Sequence, residues 1–236
     1  MSRRTESVFV WLAPVGLVLL VVGFWPLARY MPPPSAADSA MQIARFYQHD
    51  TTAIRAGLLV VFVSFMTYEP LVAVITRLML SRAPNSTVAW LQLGAGTASW
   101  LFLLVPTMVL SAAAFHPYRA PDVTQALHDI GWFFFFMGFV PFVVQSIAIT
   151  LFVFDDSAPG RPGDPLFPRW VAYFGVAFEV VFALGGLCTF FKTGPFAFQG
   201  ALTYWLPLAM YGAEIVVLSW VCHQALRAEL AAGGAG

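Results

Sequence analysis

The chain has 236 residues, 59% of them hydrophobic and only 10% charged, with a mean hydropathy of +0.76. That excludes an ordinary soluble globular domain, in which charged side chains make up about a quarter of the residues. Twelve Lys and Arg balance twelve Asp and Glu, so no basic field exists to hold nucleic acid, and nothing in the balance favours a polyanionic partner.

Apolar runs of about 20 residues or more, the length that crosses a hydrocarbon core, occur near 8–29, 54–80, 88–113, 130–154, 170–191 and 201–226. The fold class read from them is all-α: a polytopic transmembrane helix bundle of six spans, forming a single integral membrane domain over 1–236. The first run follows Arg3 and Arg4, but it is longer than a signal-peptide core and no small-residue cleavage pattern closes it before Trp25 and Pro26. It reads as an uncleaved helix. Met31, Pro32, Pro33 and Pro34 then interrupt helix formation, and Ser35 or Asp38 is expected to cap a short interfacial helix through Met41, Ile43, Ala44, Phe46 and Tyr47, between spans one and two. The loop from His116 to Pro121 leads to Asp122, the expected N-cap of a helix carrying Leu127 and His128 into span four. Asp155 to Pro168, rich in proline and glycine among acids, reads as a solvated turn.

With the N-terminus inside, Arg3, Arg4, Arg77, Arg82, Arg161, Arg169 and Arg227 fall on the cytoplasmic side. Arg29, Arg45, Arg55, Arg119 and Lys192 fall outside. The positive-inside rule therefore orients both termini to the cytoplasm. Trp25, Trp90, Trp132, Trp170 and Trp220 lie near span ends, where amphipathic rings favour the headgroup layer. Cys188 and Cys222 belong to different spans at opposite ends, so they read as core fillers and not a disulfide.

Proline stands inside five spans, as Pro14, Pro70, Pro106, Pro141 and Pro207, and the remaining one carries Gly185 and Gly186. Each proline frees the carbonyl four residues earlier, which in a bundle can kink a helix and open a cavity; proline is also ordinary in membrane helices. Gly16 and Gly23, Gly131 and Gly138, with Gly94, Gly96 and Ala98, place small residues where helices can approach closely. Three carboxyl groups share nearly the same depth: Glu69, Glu179 and Glu214. A charge there costs about 2.5–3.5 kcal/mol on insertion scales, so these helices should turn their acids inward. No basic residue lies at matching depth, so at least some of the three must hold a proton or share a cation. Such groups suit proton coupling or general-acid catalysis. Tyr68, Gln92, Gln145 and Tyr211, with Thr67 and Tyr173, lie near enough in depth to complete a polar pocket. The plain alternative is that neutral acids only tie neighbouring helices together.

His49, Asp50, His116, His128 and Asp129 come from loops or helix starts on one side, a composition compatible with a divalent metal. Their spacing fits no ligand motif, adjacent residues do not face one ion from a regular helix, and interfacial histidines explain them better. No metal is assigned and no cofactor is identified. His223 reads as interfacial and Lys192 as a loop or snorkelling charge. No phosphate-cradling loop, nucleophile elbow or Ser/His/Asp arrangement is visible.

The stretches Phe167 to Tyr173, Phe190 to Ala197 and Met31 to Ser35 resemble a group of uncharacterised multi-pass membrane proteins of actinobacteria and some proteobacteria. That resemblance implies six spans and a bacterial inner membrane, and carries no activity, substrate or catalytic residue. In length and helix content the chain is also similar to small membrane-embedded terpene cyclases, which rely on two intramembrane acids; Glu69 and Glu214 would take those places, without matching surrounding motifs. Three readings follow. The first is proton-linked binding or transport of a small apolar or lipid-like molecule in an intramembrane pocket. The second is acid/base isomerisation or cyclisation within the bilayer, and the third a structural or accessory subunit.

Overall fold

The structure, a computed structural model, describes residues 3–233, and every regular element among them is helical. The helices are α1 (Arg3–Val22), α2 (Ala40–His49), α3 (Thr51–Met66), α4 (Glu69–Arg82), α5 (Thr87–Phe115), α6 (Pro121–Met137), α7 (Phe139–Asp156), α8 (Trp170–Leu184) and α9 (Leu206–Gly233). They assemble into six spans long and apolar enough to cross a membrane: Thr5–Leu27, Thr51–Arg82, Thr87–Phe115, Pro121–Asp156, Trp170–Phe190 and Ala201–Ala231. The protein is a six-span helical membrane bundle. The side chains of Arg3 and Arg4, used above for orientation, lie outside the described residues.

Prolines set most of the irregularities. Pro26, Pro70 and Pro141 cannot donate to the carbonyls of Val22, Met66 and Met137, and these three residues are the last of α1, α3 and α6. The chain answers differently each time: a π-helical turn at Gly23–Leu27, a break at Thr67 and Tyr68, and a break at Gly138. The sixth span begins with a second π-helical turn, Ala201–Trp205, just before Pro207, and the fifth ends in a tight 3-10 stretch, Gly185–Phe190. Pro14 and Pro106 sit inside continuous helices.

Two capping expectations are corrected. The short helix α2 is capped by Ser39, not by Ser35 or Asp38: Ser39 accepts from the Gln42 backbone N–H while the Gln42 side chain accepts from the Ser39 N–H, a reciprocal box satisfying both ends. Asp38 instead closes the preceding turn by accepting from Ser35 N–H. α6 starts at Pro121 with Ala120 as cap, so Asp122 lies in the first helical turn, where its charge favours the N-terminal dipole without capping it.

That early start also corrects Trp132. It lies three turns inside the fourth span and is fully buried, while Trp25, Trp90 and Trp170 are exposed near span ends as expected; Trp220 is exposed but likewise lies three turns inside its span. The polar first turns of α6 are covered by α2, which packs across them.

Each span packs against the next in sequence, and the sixth returns to the first, so the bundle closes on itself. Close approach of spans one and two depends on glycine. A Cβ on Gly57 would stand 2.5 Å from the Gly23 carbonyl oxygen, and one on Gly23 would stand 2.8 Å from that of Gly57.

The interior divides into two cores. One, toward the end of the bundle where both termini lie, gathers Val10, Tyr68, Leu71, Ile75, Phe152, Phe167 and Ile215. The other gathers Phe24, Tyr30, Tyr47, Phe65, Trp132, Phe136, Phe178 and Tyr204. Leu17 and Tyr211 pack against both. The terminal end is laced by ion pairs. Arg77 donates from Nη1 to both Glu229 oxygens, at 2.8 and 2.9 Å, and from Nη2 to Glu6 at 2.9 Å, joining spans one, two and six. Arg82 reaches Asp156 at 3.2 Å, whose other oxygen accepts from Leu166 N–H at 2.6 Å, folding the connecting loop under the bundle. Arg161 pairs with Asp155 on the exposed loop surface, and that contact holds its guanidinium pKa above the ordinary arginine value. Cys188 and Cys222 are both free and buried.

Candidate functional site

The break at Thr67 and Tyr68 fixes how the second span presents its polar groups. Tyr68 turns into the bundle and is buried; its hydroxyl donates to Gln145 Oε1 of α7 at 3.3 Å, and its ring lies against Tyr211 of α9, centroids 6.5 Å apart. Glu69, the next residue, opens α4, where a carboxylate favours the helix N-terminus. It faces α5, accepting from Thr97 Oγ1 at 2.8 Å, and its Oε2 is enclosed without a partner.

Of the three acids, Glu179 and Glu214 lie within electrostatic reach of each other, and Glu69 stands apart. Glu214 is 6% exposed, forms no hydrogen bond with the described residues, and has Glu179 as the charged group acting on it. Tyr68 and Tyr211 both feel its charge, so two phenols stand beside it. Glu179 is half-buried. Its carboxyl faces the Ser146 and Thr150 hydroxyls of α7, yet Glu179 Oε1 and Thr150 Oγ1 remain enclosed and unpaired. α8 comes near enough for this because Gly175 lies against Thr150 and Ser146.

The remaining predicted residues disperse. Gln92 pairs with Thr76 Oγ1 at 2.6 Å, nearer the terminal end, with Nε2 unpartnered; Gln145 Nε2 is likewise enclosed and unpaired. Thr67 donates back to the Ser64 carbonyl at 2.7 Å, and Tyr173 is exposed against Phe154 on the outside of the bundle. The polar centre therefore consists of Tyr68, Gln145, Glu179, Tyr211 and Glu214, with Ser146 and Thr150 at its edge. It is rich in unsatisfied acceptors and donors, and none of the interactions on Glu214 comes from a cation.

Above this centre lies an apolar cavity of about 70 Å³. Its walls come from the helical irregularities: Phe24 in the first π turn, Phe65 before the α3 break, Gly138 and Phe139 at the α6 break, Gly185 at the 3-10 turn, and Tyr204 and Pro207 around the second π turn. Interrupted helices cannot interdigitate as regular ones do, and here the resulting void is shared by five irregular points. Tyr211 forms part of its wall and also lines a second void of about 10 Å³, one water in size, shared with Thr67 and Tyr68. Tyr211 thus separates the apolar cavity from Glu214. None of the three glutamates lines either void.

Sequence reasoning missed a buried aromatic group on the side away from the termini. Tyr30 donates to the Tyr47 hydroxyl at 2.9 Å, Tyr47 contacts His128 Nδ1 at 3.0 Å, and Tyr204 donates to the Tyr30 carbonyl at 2.6 Å. His128 is fully buried, correcting its reading as interfacial. Burial of both hydroxyls, reinforced for Tyr30 by the neighbouring Tyr47, raises the Tyr30 and Tyr47 pKa values above the ordinary 10.0. Residues so distant in sequence leave no local spacing signal. His49 and His116 are exposed, and among the described residues no three His, Cys, Asp or Glu lie close enough to share a metal ion. His223 packs edge-on against Trp11, ring centroids 5.6 Å apart. No family model, curated protein or solved structure matches this chain.

Proposed function

We propose that the protein binds a small apolar molecule in the cavity bordered by its helical breaks, and that this binding is linked to a proton held by the intramembrane pair Glu179 and Glu214. The observation that carries the reading is the position of Tyr211, whose ring forms a cavity wall on one side and stands beside the unpartnered Glu214 on the other. Two acids within electrostatic reach and without a cation cannot both carry charge at low cost, so the pair retains a proton, and displacement of Tyr211 by a ligand changes what that proton sees. A volume of about 70 Å³ suits a molecule of a few heavy atoms; a lipid-like ligand, needing at least about 300 Å³, would enter only if the breaks opened. Isomerisation or cyclisation fits less well, because an acid catalyst must touch its substrate and no glutamate lines the cavity. Transport would add opening to alternate faces, for which the breaks at Thr67 and Gly138 offer hinges. The distribution of Arg and Lys supports both termini in the cytoplasm, and the resemblance carried by Met31 to Ser35, Phe167 to Tyr173 and Phe190 to Ala197 supports a bacterial inner membrane.

The test is infrared titration of the protein in lipid nanodiscs, following the carbonyl band of protonated carboxylic acids with and without xenon, which enters dry apolar cavities. A band absent from Glu214→Gln, with a midpoint in the wild type that moves on xenon addition, is the expected result. Titration unaffected by xenon removes the linkage, and a spectrum unchanged by the substitution removes Glu214 as the proton holder.

A further inference from the structure

On the face away from the termini, an open groove of about 230 Å³ lies where the first span gives way to α2 and α3, lined by Arg29, Gln42, Arg45, Phe46, His49 and Asp50. Arg29 occupies the left-handed backbone region, φ 57°, the only described non-glycine residue to do so. Its neighbours dictate this. Tyr30 N–H donates to the Phe24 carbonyl at 2.7 Å and the Tyr30 carbonyl accepts from Tyr204, so the chain must turn sharply at residue 29 to end the π-helical turn. Glycine or asparagine fills such a position at least cost, whereas arginine bears the steric penalty of its Cβ.

The side chain obtained at that cost points into the groove, where it meets Asp50 loosely at 3.6 Å, both groups being about half exposed. Asp50 is already engaged as N-cap of α3, accepting from Ala53 N–H. Arg45 and His49 have no hydrogen-bonding or ionic partner among the described residues. Two guanidiniums and one carboxylate leave a formal charge of +1, complementary to the single negative charge of a phosphate diester. The floor is Phe46, stacked on buried Tyr30 with ring centroids 5.3 Å apart, so the groove has a fixed apolar base. Its depth is set by the spans: Arg29 follows the end of the first at Leu27, Asp50 precedes the start of the second at Thr51, and exposed Trp25 lies one turn below. That is the headgroup level of a bilayer.

We propose that this groove binds an anionic phosphate diester at the membrane surface, held by the guanidiniums of Arg29 and Arg45. Arginine is suited to the task by its planar fork of donors. The glycerophosphate of an anionic lipid supplies that group in place, with acyl chains running down beside exposed Val22 and Leu59.

The experiment is native mass spectrometry of the detergent-purified full chain, offered equal amounts of phosphatidylglycerol and phosphatidylcholine, and separately glycerophosphoglycerol, the same diester without acyl chains. The wild type should retain the anionic lipid preferentially, and Arg45→Gln should lower that preference by about tenfold, the loss of one charge-assisted contact. Arg29→Gly should lower it similarly while its unfolding midpoint equals or exceeds that of the wild type, because glycine relieves the left-handed strain. A merely structural arginine would not separate these two readouts. Retention of the lipid alone assigns the groove to a headgroup, and equal retention of glycerophosphoglycerol assigns it to a soluble diester. No selectivity for either anionic probe, or selectivity untouched by both substitutions, overturns the proposal.

Discussion

Arg77→Ala tests whether the terminal-side ion cluster holds three spans together. The arginine makes three charge-assisted contacts of 2.8 to 2.9 Å, to Glu6 of the first span and Glu229 of the sixth. Removing one partner of a fully buried pair costs about 3–5 kcal/mol, whereas an exposed pair is worth at most about 1 kcal/mol. Here the side chains are 36% exposed for Arg77, 27% for Glu229 and 11% for Glu6, so the cluster falls between those limits. Two acids left facing each other place the loss at about 2–3 kcal/mol, or about 5–10 °C in Tm for a chain of this length. The protein carries its own reporters, since Cys188 and Cys222 are free, buried and unreactive until the bundle opens. Thermal unfolding followed by a thiol-reactive dye should show the fall, and Arg77→Lys, which keeps the charge but loses the bidentate fork, should fall by about half as much. A midpoint for Arg77→Ala within about 1 °C of the wild type would refute the reasoning, because the cluster would then behave as a solvent-screened surface pair.

Three further outcomes are expected. Glu214→Met should unfold no earlier than the wild type and gain up to about 1 kcal/mol, since a buried acid without a partner adds nothing that a thioether of similar volume cannot; a marked loss would mean that the acid makes a stabilising contact. Gly57→Val should cost about 3 kcal/mol or abolish folding, because its Cβ alone would meet the Gly23 carbonyl and the Ala28 backbone N; circular dichroism and the thiol assay would register it. Tyr30 and Tyr47 keep their protons above the ordinary pKa of 10.0 when folded, so their contribution is complete below pH 10 and is lost as pH rises beyond it. Stability should fall by about 1.4 kcal/mol per pH unit for each in that range, and Tyr47→Phe should remove its share of the slope.

Much of the fold was legible because lipid imposes simple rules. Six apolar runs gave six spans, and Pro70 and Pro141 marked the positions of the two mid-span breaks. Depth along a helix is readable from sequence, so Glu69, Glu179 and Glu214 were identified together. Azimuth is not. Tyr68 and Glu69 are adjacent and point to different neighbours, and the break before them resets the helical phase on which a facing argument depends. In sequence the apolar run of the fourth span begins only near 130, because Gln125, His128 and Asp129 interrupt its hydrophobicity. α2 covers that polar stretch and Tyr47 meets His128, a pairing across 81 residues that no local pattern encodes. The groove around Arg29 was invisible for the same reason, since its walls come from both sides of the Met31 to Pro34 interruption.

Among the described residues, the partly buried Leu17 and Tyr211 pack against both interior cores, and this narrow junction governs how far damage can travel. A void opened beneath Phe152 would be absorbed by neighbours in its own half, and one opened beside Trp132 would leave the ion-paired half unaware of it. The bundle is in this sense a two-storey structure with a narrow stairwell. Substitutions at residues 17 and 211 should therefore couple energetically to partners in both halves, while pairs drawn from opposite storeys that share no void should simply add.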